Sequence, residues 1–138
     1  MRKNNGYRTE SEVERKKRNS IAVYTSLKTK EGREIGSIES QGGPKRHTVL
    51  SSHIQSRHQG KGLGKLLYEK HIHHLHKIGV EHLKASDGIS VGADRTWKSV
   101  IKEHGGKIHP PQYRGNSKQR FEVLGNHSIP TKNLKDLR

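Results

Sequence analysis

The chain has no cysteine, so disulfides, thiolate nucleophiles and cysteine-ligated zinc are all excluded. Rings are scarce as well. One Trp, one Phe and four Tyr do not advertise the base stacking that single-strand binders use. Long apolar runs are missing: the longest, Ile21 to Tyr24, has four residues, far short of a membrane span. The start, MRKNNGYRTESEVERKKRNS, is basic but holds no apolar stretch of the secretory kind, which predicts a cytoplasmic protein. Acidic residues are outnumbered, 13 Asp and Glu against 28 Lys and Arg, giving a formal net charge of +15. Such an excess goes beyond the needs of solubility. It points to acidic partners: nucleic acid, ribosome, an anionic cofactor or an acidic protein.

What is present has to form a thin core. Hydrophobic residues make up 27% of 138, and mean hydropathy is −1.06. Low hydrophobicity with high net charge is also the signature of disorder, but the periodic segments are locally consistent and predict one small folded domain with frayed ends. Residues 1–19 are almost wholly polar, with the run Glu14 to Arg18, and read as a polar arm or short helix. SIAVYTSLK (20–28) and REIGSIES (33–40) alternate about the turn at Lys30 to Gly32, predicting a β-hairpin. HTVLSSHIQ (47–55) predicts a third strand that runs into a glycine-rich segment. From Gly62 the period becomes helical, with Leu63, Leu67, Leu75 and Ile78 on one face and Gly79 as the stop. A short strand follows at Val80 to Ala85, then a second helix at Val91 to His104, ended by two glycines. Lys107 to His109 begins a strand, and QRFEVL (119–124) is the last clear one; residues 125–138 form a polar tail. The order predicts a mixed α/β (α+β) domain over 20–124.

The glycine segment, Gln59-Gly60-Lys61-Gly62-Leu63-Gly64-Lys65, falls where a strand ends and a helix opens. First-turn amides there lack internal partners, and the helix dipole adds partial positive charge. Glycines let a pyrophosphate approach the backbone closely, and Lys61 and Lys65 add point charges. A Walker loop is ruled out by spacing, since Gln59 stands where its first glycine belongs and Leu66 where its Ser or Thr belongs. The dinucleotide fingerprint G-x-G-x-x-G fails at Lys65 or Leu67, depending on which glycine begins it. Gln59-x-x-Gly62-x-Gly64 fits instead.

With that motif the chain resembles the GNAT superfamily of acetyl-CoA-dependent N-acetyltransferases, whose signature is [Gln/Arg]-x-x-Gly-x-[Gly/Ala] at a strand-to-helix turn. HTVLSSHIQ resembles the family's fourth strand, with Ile54 in its apolar position. GLGKLLYEKHIHHLHKIGV resembles the helix that follows, and DRTWKSVIKEHGGK the next one. The resemblance covers about residues 20 to 124 and implies a mixed, mostly antiparallel sheet flanked by helices. It implies that the amides of Gly60, Lys61, Gly62, Leu63, Gly64 and Lys65 cradle the pyrophosphate of acetyl-CoA, with Gln59 shaping the turn. Ile54 and its strand neighbours would hold the pantetheine arm and polarise the acetyl carbonyl. The reaction implied is direct attack of a primary amine on the thioester.

Three departures from the family pattern bear on catalysis. The thiolate-protonating Tyr of the family falls on Ile101, which has no proton to give; Tyr113 is the substitute considered first, with Ser86 and Ser90 behind it. The position of the Glu that serves some relatives as base is Thr48, leaving Glu39 and His53 as the available groups. The segment before the hairpin is short, so the acceptor site is expected to be open, formed by a second copy in a homodimer, or completed by a partner. No metal is expected: His71 and His74 share a helix face, but neither H-E-x-x-H nor a flanking carboxylate accompanies them. His73 and His76 are expected to face solvent. The rival to an enzyme is a degenerate GNAT fold acting as a basic nucleic-acid-binding or assembly protein.

Overall fold

The computed structural model describes residues 6–86, 88–108, 122–124 and 127–137. Strands β1 (Arg8–Arg15), β2 (Ile21–Lys28), β3 (Glu34–Gly42) and β4 (His47–Ile54) form an antiparallel meander. After helix α1 (Leu63–Lys77) the chain returns as β5 (His82–Lys84), which pairs parallel with β4. Then come β6 (Gly88–Ser90), helix α2 (Val91–His104), β7 (Glu122–Leu124) and β8 (Ser128–Pro130). The main sheet has the order β1-β2-β3-β4-β5-β8, and β6 pairs separately with β7.

Register explains how a thin core suffices. Cross-strand rows Val23–Ser40–Val49, Thr25–Ile38–Ser52 and Leu27–Gly36–Ile54 lie on one face. The intervening rows Tyr24–Glu39–Ser51 and Ser26–Ser37–His53 lie on the other. Helix α1 covers the first face with Leu63, Leu67, Tyr68, His71, Ile72 and Leu75, all buried. The opposite face carries polar side chains in those rows. Helix α2 is capped at its start by the Ser90 hydroxyl, which accepts from Ala93 N–H at 3.1 Å, and places Trp97 edge-on against Tyr68 of α1.

The structure differs from the sequence expectations at both ends. Within 1–19, read as a polar arm or short helix, residues 8–15 form β1; its charged residues fit a strand because it is the sheet edge, with one neighbour only. Within the polar tail, Ile129 and Leu134 are fully buried, in β8 and in a 3-10 turn (Thr131–Leu134) that packs on α1. Two core residues in a polar stretch were too few to produce a periodic signal. Ile78 is not on the buried face: it is the C-cap, just past the last helical turn, and is exposed. Among the described residues no helix is long and apolar enough to cross a membrane.

Candidate cofactor-binding site

A cleft of about 510 Å³ opens at the C-terminal end of β4. Two features of the strand create it. Leu50 is an extra residue between the pairs Ser40–Val49 and Glu39–Ser51, a bulge that bends β4. Beyond it, β4 leaves β5: their shared register covers only 47–48 with 83–84 among the described residues. Gln55 N–H bonds Ile35 O at 2.8 Å, so the antiparallel alternation turns the N–H and C=O of Ile54 away from β3, to the unpaired side. The Ile54 carbonyl accepts from Gln59 Nε2 at 2.8 Å. Its N–H is the group left to face a ligand.

That Gln59 bond staples the loop to the strand. Gly60 and Gly62 follow with φ of 79° and 76°, in the left-handed region that glycine adopts without strain. Nothing lies within 4 Å of where a Cβ would sit on either residue. Gly62 is the N-cap of α1 and offers no side chain, and the first helical bond runs from Leu66 N–H to Gly62 O at 3.2 Å. The amides of Leu63, Gly64 and Lys65 therefore have no intrahelical acceptor. Gly64 is needed for another reason: a Cβ there would stand 3.2 Å from Thr96 Oγ1, so it sets how closely α1 approaches α2. Unsatisfied amides, the positive end of a helix dipole and open space beside two glycines suit a pyrophosphate. Lys61 is exposed at the rim, and Arg95 of α2 lines the cleft from the other side. Lys65 also lines it, but its ammonium is ion-paired with Glu103, so it is less available than its position in the motif suggests.

The catalytic candidates separate. His53 lines the cleft and is exposed on the polar face of the sheet, with Nδ1 3.4 Å from Ser37 Oγ. Glu39 is on the same face, in the neighbouring row between Tyr24 and Ser51, and is not part of the cleft wall. Tyr113 lies outside the described residues. Ser90 lines the cleft while capping α2, and Ser86 donates to Gly88 O at 3.1 Å. Ile101 is buried in the core.

Two hydroxyls that the sequence did not single out meet inside the cleft. Tyr68 of α1 and Ser52 of β4 both line it, with the phenol oxygen 2.7 Å from Ser52 Oγ. Burial pushes the Tyr68 pKa up, against the lowering effect of the Ser52 bond, which keeps the phenol protonated. A signal existed. Ser52 occupies an inward position of β4, where an apolar residue is expected and a hydroxyl requires a partner.

Two histidines of the 71–76 cluster have structural partners. His71 lies in the core, with Nδ1 2.7 Å from Thr25 Oγ1 and Nε2 2.8 Å from Ser40 Oγ. His73 does not simply face solvent, since its Nδ1 bonds Leu134 O at 2.7 Å. A carboxylate-histidine set occurs elsewhere: His104 Nε2 stands 2.6 Å from Glu69 Oε2 and 3.4 Å from Glu103 Oε2, tying α1 to α2 beside Lys65.

No family model matches the chain, and no curated protein matches it significantly. Solved structures do. The chain is similar to spermidine N-acetyltransferase from Vibrio cholerae in complex with CoA and spermine, at TM-score 0.62 and 13% identity, over 82% of this chain and 68% of that one. It is equally similar in shape to the ribosomal-protein-S18-alanine N-acetyltransferase from Escherichia coli, at TM-score 0.62 and 18% identity, over 84% of this chain and 72% of that one. IAA acetyltransferase from Bacillus cereus gives TM-score 0.58 at 16% identity, over 79% and 77%. The chain has the GNAT fold. The mixed, mostly antiparallel sheet that the resemblance implied is thus the observed one.

Proposed function

We propose that this protein is an N-acetyltransferase that moves an acetyl group from acetyl-CoA to a primary amine. The observation that carries this reading is the junction of β4 and α1, where Gly60 and Gly62 hold positive φ beside open space and three helix amides point outward. Those amides, with Lys61 and Arg95, bind the pyrophosphate of acetyl-CoA. The pantetheine arm runs along the unpaired side of β4, and Ile54 N–H hydrogen-bonds along it.

The amine approaches from the polar face of the sheet, where His53 takes the proton released as nitrogen becomes bonded to the acetyl carbon. Glu39, one row away, adds negative charge that favours a cationic acceptor. The thioester C–S bond breaks, and the thiolate takes a proton from the Tyr68 hydroxyl relayed through Ser52 Oγ: Ser52 gives its proton to sulfur and regains one from Tyr68, and the phenolate is reprotonated from solvent as products leave. These two replace the tyrosine that the family pattern puts at Ile101. Most of the rate comes from orientation and from donors aimed at the developing oxyanion. The acceptor amine is carried by nucleic acid, a ribosomal component or an acidic protein, a reading supported by the net charge of +15. A cysteine-free chain suits a reducing, cytoplasmic setting.

Thiol release from acetyl-CoA, measured against a panel of polyamines, N-terminal peptide amines and aminoacyl-tRNA, tests the reading. Amine-dependent thiol release that His53→Ala reduces about 10- to 100-fold is expected. Tight acetyl-CoA binding with no turnover on any amine would favour the degenerate, binding-only alternative.

A further inference from the structure

The end of the sheet opposite the cofactor cleft carries a second concave surface, of about 990 Å³, that acetyl transfer does not use. Three distant stretches of chain build it. The β3–β4 turn contributes Gly43, Pro44, Lys45 and Arg46; β5 contributes His82 and Lys84; and the isolated bridge between Lys107 and Ser128 brings in both of its residues. His82 and Lys84 are two apart on one strand and so project to the same side. Lys45, Arg46, His82 and Lys107 are exposed.

The composition of this wall is selective. Among the described residues it contains four lysine or arginine side chains and a histidine, and neither Asp nor Glu. Concentrating like charge on a concave surface focuses the field outward and raises the local concentration of anions. Among the described residues the wall also lacks Trp, Tyr, Phe, Met, Leu and Ile. That lack separates the ligands such a surface could take. A docked acidic protein needs an apolar or aromatic centre to anchor it. A single-stranded nucleic acid needs rings on which to stack. A duplex needs neither, because its phosphates supply affinity through charge and counterion release alone.

We infer that the cleft, through Lys45, Arg46, His82 and Lys107, binds the phosphate backbone of a nucleic-acid duplex. The surface reads charge and not sequence. It is separated from the cofactor turn by the length of β4, seven residue steps of about 3.3 Å or roughly 23 Å, so the two sites are independent. The inference therefore stands whether or not the protein transfers acetyl groups.

Fluorescence anisotropy with a labelled duplex of about 20 base pairs, titrated between about 50 and 200 mM salt, tests it. A charge-reversal variant of the cleft, K45E/R46E/K107E, is compared with one of equal charge change on the β2–β3 turn and the middle of α1, K30E/R33E/K70E, whose residues lie outside the cleft wall. The cleft variant is expected to lose about tenfold or more in affinity, and its salt slope to become shallower by about 2 to 3, as three phosphate contacts would give. The comparison variant should lose much less, and both should bind acetyl-CoA as the parent does. Should the reversal variant fail to fold, K45Q/R46Q/K107Q is expected to show the same ranking more weakly. Equal losses in the two variants would overturn the assignment, leaving only a diffuse effect of net charge. So would undiminished binding by the cleft variants. Polyglutamate binding to the parent at the same salt, lost in the cleft variant while duplex binding is absent, would assign the surface to an acidic polypeptide instead.

Discussion

Gly62 carries the most weight of any single residue. Its φ of 76° costs a residue with a Cβ about 1 kcal/mol, and a side chain there would enter the space beside the outward amides. Gly62→Glu adds a carboxylate where the helix dipole and three unsatisfied amides favour an anion. Acetyl-CoA affinity is expected to fall at least tenfold, about 1.4 kcal/mol, while the fold survives. Titration calorimetry alongside a thermal melt separates the two effects. Tyr68 makes a different prediction. Tyr68→Phe keeps the edge-on packing with Trp97 but removes the hydroxyl 2.7 Å from Ser52. If that hydroxyl supports protonation of the leaving thiolate, kcat falls about 10- to 100-fold with KM for acetyl-CoA little changed. A parallel loss in affinity would assign Tyr68 to packing alone. At this scale the motif residues were legible because they are backbone requirements, for which spacing is the signal. Tyr68, Ser52 and the pairing of Lys65 with Glu103 were not, because each partnership joins residues 16 or 38 apart whose meeting depends on the packed fold.

Helix α1 shows how an element can be legible in outline and misread in detail. Its apolar stripe follows from Leu63, Leu67 and Leu75, yet His71 sits in the middle of that stripe, fully buried. The explanation lies across the interface: Thr25 and Ser40 project hydroxyls from the sheet, one to each ring nitrogen. Burial, followed by the neighbouring His47 and His74, lowers the His71 pKa to about 3. The neutral ring is thus favoured by folding. Its stabilisation is complete above the ordinary pKa near 6.5 and is lost as pH falls from there toward 3, on the order of 5 kcal/mol at most. His47 and His74, also lowered by burial, act in the same direction. Thermal melts at stepped pH should show stability declining steadily below pH 6.5. His71→Leu should be less stable at neutral pH, since it removes one hydrogen bond from each of two buried hydroxyls, leaving Thr25 its bond to Ser11 and Ser40 its bond to His47, but should narrow the gap in acid. Parallel curves for the two proteins would contradict this. The tail offers a second test at this scale. Leu134 is 1% exposed, and its carbonyl accepts from His73 on α1. Leu134→Ala is expected to cost about 2 to 4 kcal/mol by denaturant unfolding, whereas a loose tail would cost nothing measurable.

Across the whole molecule, two anion-directed surfaces sit at opposite ends of one strand. The glycine turn follows the end of β4 and the basic cleft flanks its beginning. The sheet order was only partly readable from sequence. The meander followed from alternation and turns, but β1 was hidden by its charges and β8 by its shortness, three residues within a polar stretch. The splay between β4 and β5, which creates the cofactor cleft, depends on the bulge at Leu50 and on where the parallel pairing ends, and neither leaves a mark on composition. The central claim is that the glycine turn exists to hold acetyl-CoA. Calorimetric titration of the nuclease-treated protein with acetyl-CoA tests it most directly. The account predicts one-to-one binding at about micromolar strength, roughly −8 kcal/mol, abolished or severely weakened in Gly62→Glu. Absence of heat at millimolar acetyl-CoA, or equal binding by the parent and Gly62→Glu, would contradict it.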